Sequence, residues 1–315
     1  MLKATLFGNG QARYFERELP GFPGQQACLL LCYLLLNKQQ PHHREQLAAI
    51  FWPEHASDVA RKYLRNAIWR MRQILQSTGA PPDEYLFYSE DSIAFINTSS
   101  HWLDVEVFES AAARFQPVAA SQLQPIDAAQ LAAAVDLYTG DLLENVYEDW
   151  CLYERERLRL LYLNSLHKLM VYHGLKGAYD SGIVYGERIL THDNTREKVH
   201  RQVMWLHWLA GNRDAALLQY QRCARILRDE LNAAPMDETR QLYEQMRAGQ
   251  VPAQASAWAE TTSPRASLAS ETEQHLKPLL EQTRHRLFQL QQMIEETRAE
   301  LRQIERTLDD AMLRP

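Results

Sequence analysis

A mostly α protein in three parts, with small β elements confined to its first third, is what this sequence predicts. Three patterns carry the prediction. Residues 57–76, SDVARKYLRNAIWRMRQILQ, form a basic amphipathic helix. The middle of the chain repeats itself at an offset of 34 residues. Toward the C-terminal end, apolar residues recur in steps of four and three, the spacing of a coiled-coil seam.

Taken in order, residues 3–7 (KATLF) and 12–16 (ARYFE) read as two short strands around the turn Gly8-Asn9-Gly10. Pro20-Gly21-Phe22-Pro23-Gly24 breaks the chain, and residues 25–37 (QQACLLLCYLLLN) are apolar nearly all round, as a central buried helix must be. Pro41 opens a second short helix, over residues 42–52, which Pro53 stops. Ser57 and Asp58 then cap the basic helix. After Gly79-Ala80-Pro81-Pro82, the run YLFYSEDSIAFIN holds two period-2 segments about a turn at Ser89, Glu90 and Asp91, which makes a hairpin. Strands, three helices with the basic one third, then a hairpin is the order of a winged helix-turn-helix, here residues 1–100.

The basic helix carries Arg61, Lys62, Arg65, Arg70 and Arg72 with no acid after Asp58. At 100° per residue, Ala60, Leu64, Ala67, Ile68, Met71 and Leu75 share one stripe, and Lys62, Asn66, Trp69 and Gln73 lie opposite it. One face is then available for burial, and the other offers cations, amides and an aromatic ring to a polyanion. Lys62, Asn66 and Gln73 are the candidates for base edges in the major groove of double-stranded DNA. Arg61, Arg65, Arg70 and Arg72, on the flanks, either bind phosphates or brace their own fold through Glu45 and Glu54. Trp69 either packs under the hairpin against Phe87 or Phe95, or stacks on a sugar or a thymine methyl.

From His101 the chain reads as helical throughout. Residues 102–115, 128–138 and 150–172 show a 3.6-residue apolar period, with residues 116–125 as a surface connection. In the echo, Leu175-Lys176-Gly177 matches Leu209-Ala210-Gly211, Asp180 matches Asp214, Gly182 matches Ala216, and Arg188 matches Arg222. A 34-residue period with Gly at the turn is the signature of a tetratricopeptide-like repeat. Tyr172, Tyr179, Tyr185, Trp205, Trp208 and Tyr220 offer aromatics to its groove, and residues 101–247 make up the domain. Residues 248–269 have linker composition. Residues 270–312 follow, with Leu276, Leu280, Thr283, Leu287, Leu290, Ile294, Thr297, Leu301, Ile304 and Leu308 as the seam of a coiled coil that pairs most simply with its own copy in a homodimer.

Composition excludes other classes. The N-terminal 100 residues hold 10 Lys+Arg against 9 Asp+Glu, residues 101–247 hold 16 against 21, and residues 248–315 hold 8 against 10. A local basic patch on a mildly acidic protein favours specific over indiscriminate nucleic-acid binding. Neither HExxH, GxSxG, GxGxxG nor paired-Cys spacing occurs, so no enzyme, cofactor or metal is expected. His200 and His207, seven apart beside Trp205 and Trp208, read as packing residues rather than ligands. Cys28, Cys32, Cys151 and Cys223 lie in helical patterns and read as buried reduced thiols. The longest apolar run, residues 27–36, is too short to span a bilayer, and residues 1–20 lack a signal-peptide core; the reading is cytoplasmic.

The motifs now in view resemble a known family. Gly24-Gln25-Gln26-Ala27, Arg44-Glu45-Gln46-Leu47-Ala48, Phe51-Trp52-Pro53 and residues 60–75 look like the DNA-binding half of the Streptomyces antibiotic regulatory protein family. His101-Trp102-Leu103-Asp104-Val105, Leu137-Tyr138-Thr139-Gly140-Asp141-Leu142-Leu143, Trp150 and Glu154-Arg155-Glu156-Arg157-Leu158 resemble its bacterial transcriptional activation domain. The resemblance implies a transcriptional activator that binds promoter DNA through the winged helix and contacts RNA polymerase through the helical repeat. The alternative from a different class is a protein-interaction scaffold that works through the repeat groove and the coiled coil.

Overall fold

The computed structural model describes residues 1–250, and within them the small β elements are divided between two sheets. Strands β1 (Leu2–Thr5), β2 (Gln11–Tyr14) and β3 (Arg17–Glu18) form an antiparallel meander. Gly8 and Gly10 turn the chain between β1 and β2 with φ of 76° and 75°, and a Cβ on Gly10 would stand 2.6 Å from Leu143 Cδ2.

Helix α1 (Gln26–Leu36) has eight buried residues, including Leu30, Leu34 and Cys32, as an all-apolar helix should. The next element corrects the sequence reading. His42 and His43 do not begin a helix; they form strand β4 (His42–His43), and α2 starts only at Arg44 (Arg44–Phe51). Pro41 supplies the extended entry, and His42 is pinned through Nε2 to Asn37 O at 2.8 Å. Helix α3 (Ser57–Thr78) buries Ala60, Leu64, Ala67, Ile68, Met71 and Leu75 against α1 and α2. Its N-cap is Ala56, without a side-chain cap, so Ser57 and Asp58 lie in the first turn instead. It ends at left-handed Gly79, where Ala80 N–H returns to Leu75 O at 3.0 Å.

A short helix α4 (Pro82–Tyr85) leads into the hairpin of β5 (Leu86–Tyr88) and β6 (Ser92–Phe95). Ser89 and Ser92 hydroxyls close its turn at 2.8 Å, and β4 adds to its open edge with His42 opposite Ile93. The chain then makes β7 (His101–Leu103), parallel to β1, where the sequence suggested helix from residue 101 onward. A strand of three residues bearing Trp102 and Leu103 is too short to leave a period of its own.

The remainder is helical: α5 (Asp104–Phe115), a 3-10 turn (Ala120–Gln122), α6 (Pro125–Val135), α7 (Asp149–Leu175), α8 (Tyr179–His192), α9 (Glu197–Leu209), α10 (Arg213–Leu231) and α11 (Asp237–Arg247). From α7 to α11 each helix packs on the next. Gly177 and Gly211, 34 apart, turn the α7–α8 and α9–α10 corners with φ of 75° and 79°. A Cβ on Gly182 would stand 3.0 Å from Leu206 Cδ1 at a helix crossing, and its counterpart Ala216 is fully buried. The two matched arginines are both engaged, Arg188 with Asp136 at 2.9 Å and Arg222 with Glu187 at 2.6 Å. A mostly helical chain with two small sheets, consistent with a winged helix followed by a helical repeat, is the architecture observed. The seam residues Leu276 to Leu308 and the linker 248–269 beyond residue 250 lie outside the described residues. Among the described residues, no helix is long and apolar enough to cross a membrane.

Candidate nucleic-acid interface

The core contacts of α3 decide which of its side chains remain outside. Lys62, Arg65, Asn66, Trp69, Arg70 and Gln73 are all exposed, while Arg72 is half-buried. Lys62, Asn66, Trp69 and Gln73 recur at i, i+4, i+7 and i+11, a straight stripe opposite the buried one and about 16 Å long at 1.5 Å per residue.

The flanking arginines divide into two kinds. Arg61 Nη2 donates to Ser57 Oγ at 2.9 Å and lies 3.4 Å from Glu45 Oε1. Arg72 Nη1 reaches Asp83 Oδ1 at 2.8 Å while its guanidinium lies 4.7 Å over the Tyr88 ring. Burial beside that ring pushes the Tyr88 hydroxyl up to about 12. Arg61 and Arg72 thus brace α3 to α2, α4 and the hairpin. The sequence pointed to Glu45 and Glu54 as the internal partners; Glu45 is one, but Asp83, which follows the Pro81-Pro82 break, takes the place of Glu54. Lys62, Arg65 and Arg70 have no ion pair among the described residues.

Trp69 is 61% exposed and does not pack under the hairpin. Phe95 is buried beside Tyr85 and His101, and Phe87 is itself 49% exposed. The other exposed ring of α3, Tyr63, is braced by Trp52 at 6.1 Å and His55 at 5.1 Å between ring centroids.

The N-terminal elements are fixed to the helical part by a polar seam that periodicity did not reveal. The buried carboxylate of Asp104 accepts from Leu6 N at 2.9 Å, Phe7 N at 3.0 Å and Val105 N at 2.8 Å. Burial pushes this carboxyl up, against the pull of the N–H donors. Lys38 Nζ bridges Glu106 at 2.6 Å and His101 Nε2 at 2.6 Å. Arg155 donates to the carbonyls of Leu142, Leu143 and Val146 at 2.8, 2.5 and 2.7 Å and holds the turn in which Leu143 takes a φ of 45°. That turn lies against the β1–β2 connection, where Leu143 N–H reaches Leu6 O and Gly8 N–H reaches Asp141 O.

The repeat aromatics are divided as well. Trp205 and Tyr172 are buried and so line the core rather than a groove. His200 is fully buried between Asn194 O and Gln219 Nε2, both at 2.8 Å, and burial lowers its pKa; it is a satisfied core histidine. No cluster among the described residues is arranged to hold a metal ion. The four cysteines are buried and free, with the Cys28 and Cys151 thiols pushed up to about 11 by burial.

Residues 103–247 match the family model of the bacterial transcriptional activator domain. A comparison with curated proteins gave no match. Among solved structures the chain resembles Mycobacterium tuberculosis EmbR in complex with a low affinity phosphopeptide, at 20% identity and a TM-score of 0.66, over 85% of this chain and 71% of that one. At that identity the likeness shows the fold, and it extends beyond the matched domain into the N-terminal elements. From the end of β7 through α11 the chain thus carries a match to the bacterial transcriptional activator domain, and its fold, N-terminal elements included, is similar to that of EmbR.

Proposed function

We propose that the protein is a sequence-specific DNA-binding transcriptional activator whose α3 enters the major groove. The observation that carries this reading is the exposed stripe of Lys62, Asn66, Trp69 and Gln73, flanked by Arg65 and Arg70, which make no ion pair among the described residues, on a helix with no acid after Asp58. Lys and the amides suit guanine and adenine edges, and the flanking guanidiniums suit phosphates on either side. Arg61 and Arg72, engaged within the protein, serve chiefly to hold α3 at its angle to the hairpin. The helical repeat supplies the contact to RNA polymerase, and residues 270–312 bring two copies together, so that two α3 helices engage one operator.

The test is fluorescence anisotropy of the full chain on promoter DNA from its own locus, at 50 and 200 mM salt, beside a Lys62→Ala/Arg65→Ala variant. Tight, salt-sensitive binding that prefers this DNA over scrambled sequence and is lost in the variant is the expected result. Each phosphate contact removed lowers the salt slope by about 0.9. Absence of binding at 50 mM salt would refute the reading and favour a scaffold that works through the repeat.

A further inference from the structure

The stripe on α3 contains one residue whose chemistry hydrogen bonding does not explain. Trp69 sits at its centre with 61% of its surface in water, and no aromatic or cationic side chain among the described residues lies against its ring. The other ring on the outward part of α3, Tyr63, is partly covered by Trp52 and His55 at 6.1 and 5.1 Å between centroids and is 39% exposed, so Trp69 is the larger and barer of the two. Its neighbours limit what covers it: Asn66 and Gln73 stand one turn to either side along the stripe, and Arg65 and Arg70 flank it. An apolar ring set among cations and amides, with no nearby acid on its helix, fits a polyanionic surface that carries an isolated apolar group.

The major groove has such a group: the 5-methyl of thymine is its one apolar feature, amid donors, acceptors and phosphates. Resting on the reading of α3 as the DNA-contacting helix, we propose that Trp69 is a specificity-determining residue that covers a thymine 5-methyl in the major groove. The indole offers only a donor at Nε1, so it discriminates by burying the methyl rather than by a bidentate pattern. The operator therefore carries a thymine at the position facing the middle of α3, between the bases that Asn66 and Gln73 face.

The experiment uses the full chain and duplexes that the wild-type protein recovers from a random-sequence pool. Each thymine is replaced in turn by deoxyuracil, which removes the methyl and leaves base pairing intact. At one position per half-site the wild type is expected to lose roughly fourfold in affinity, what burying one methyl group contributes. Trp69→Ala should bind the thymine duplex less tightly, ignore that replacement and keep the wild-type salt slope. Trp69→Phe should keep part of the discrimination. Circular dichroism melts of both variants confirm that folding is intact, as the exposure of the ring leads one to expect. Selective binding that is indifferent to every deoxyuracil replacement would overturn this proposal and leave the DNA reading standing. A Trp69→Ala variant that still loses about fourfold at the same deoxyuracil position would assign the methyl to another side chain and overturn it too. Recovery of no preferred sequence would overturn both.

Discussion

Replacing Asp104 tests whether the N-terminal elements and the helical part are held as one body. Its carboxylate is 2% exposed and serves three backbone donors, two of which, on Leu6 and Phe7, belong to the strand end on the other side of the seam. In Asp104→Ala those two N–H groups stay buried without acceptors, each costing about 1–3 kcal/mol. Removing a charge that burial itself disfavours offsets part of this, so a net loss of about 2–4 kcal/mol is expected. Asp104→Asn keeps one acceptor oxygen but turns an amide donor toward Phe7 N–H, and about 1–3 kcal/mol follows. Urea unfolding followed by far-ultraviolet circular dichroism and by tryptophan fluorescence reads both the loss and its cooperativity. A loss below about 1 kcal/mol in the alanine variant, with both probes coincident, would refute the argument that this carboxylate carries the seam.

Other consequences follow from the same geometry. Arg155→Lys should destabilise by about 1–2 kcal/mol in the same unfolding assay, because a single ammonium nitrogen cannot occupy the two positions from which Nε and Nη2 reach these carbonyls. Arg65→Ala should lower the salt slope of DNA binding by about 0.9 at unchanged stability, whereas Arg72→Ala should cost up to about 1 kcal/mol of stability, since its partner Asp83 is exposed. His167, whose Nε2 lies 2.9 Å from Gln202 Oε1, has its pKa lowered by burial from 6.5 to about 4. The unfolded chain therefore takes up this proton first, and the stability that the neutral ring contributes is complete above pH 6.5 and is lost as pH falls toward 4. That amounts to as much as about 3 kcal/mol at pH 4, and thermal melts of His167→Gln should show a correspondingly flatter acid limb.

Period and spacing made the helices legible. The buried stripe of α3 lies on the positions its 3.6-residue period marks, and the 34-residue echo falls on two Gly-turned helix pairs whose matched arginines are both engaged. Short strands left no such trace. His42 and His43 took strand form because Pro41 and the open edge of β6 outweigh two residues of helical preference, and β7 formed because β1 offered a parallel edge. The site was half legible. Which side of α3 faces outward could be read from its apolar spacing alone, but which arginines are already engaged could not. Asp83 and Tyr88, which capture Arg72, come from elements 11 and 16 residues further along the chain, and only the fold brings them to it. Spacing left two places open for Trp69, and only the fold, which leaves the ring 61% exposed, separates them.

The central claim, that α3 reads the major groove, is tested most directly by methylation protection at guanine N7 on promoter DNA bound by the full chain, beside Lys62→Ala and Asn66→Ala. N7 lies on the major-groove edge, so the account predicts discrete protected guanines in each half-site, with protection lost where a replaced side chain no longer reaches. Binding that leaves every N7 open to methylation would contradict it.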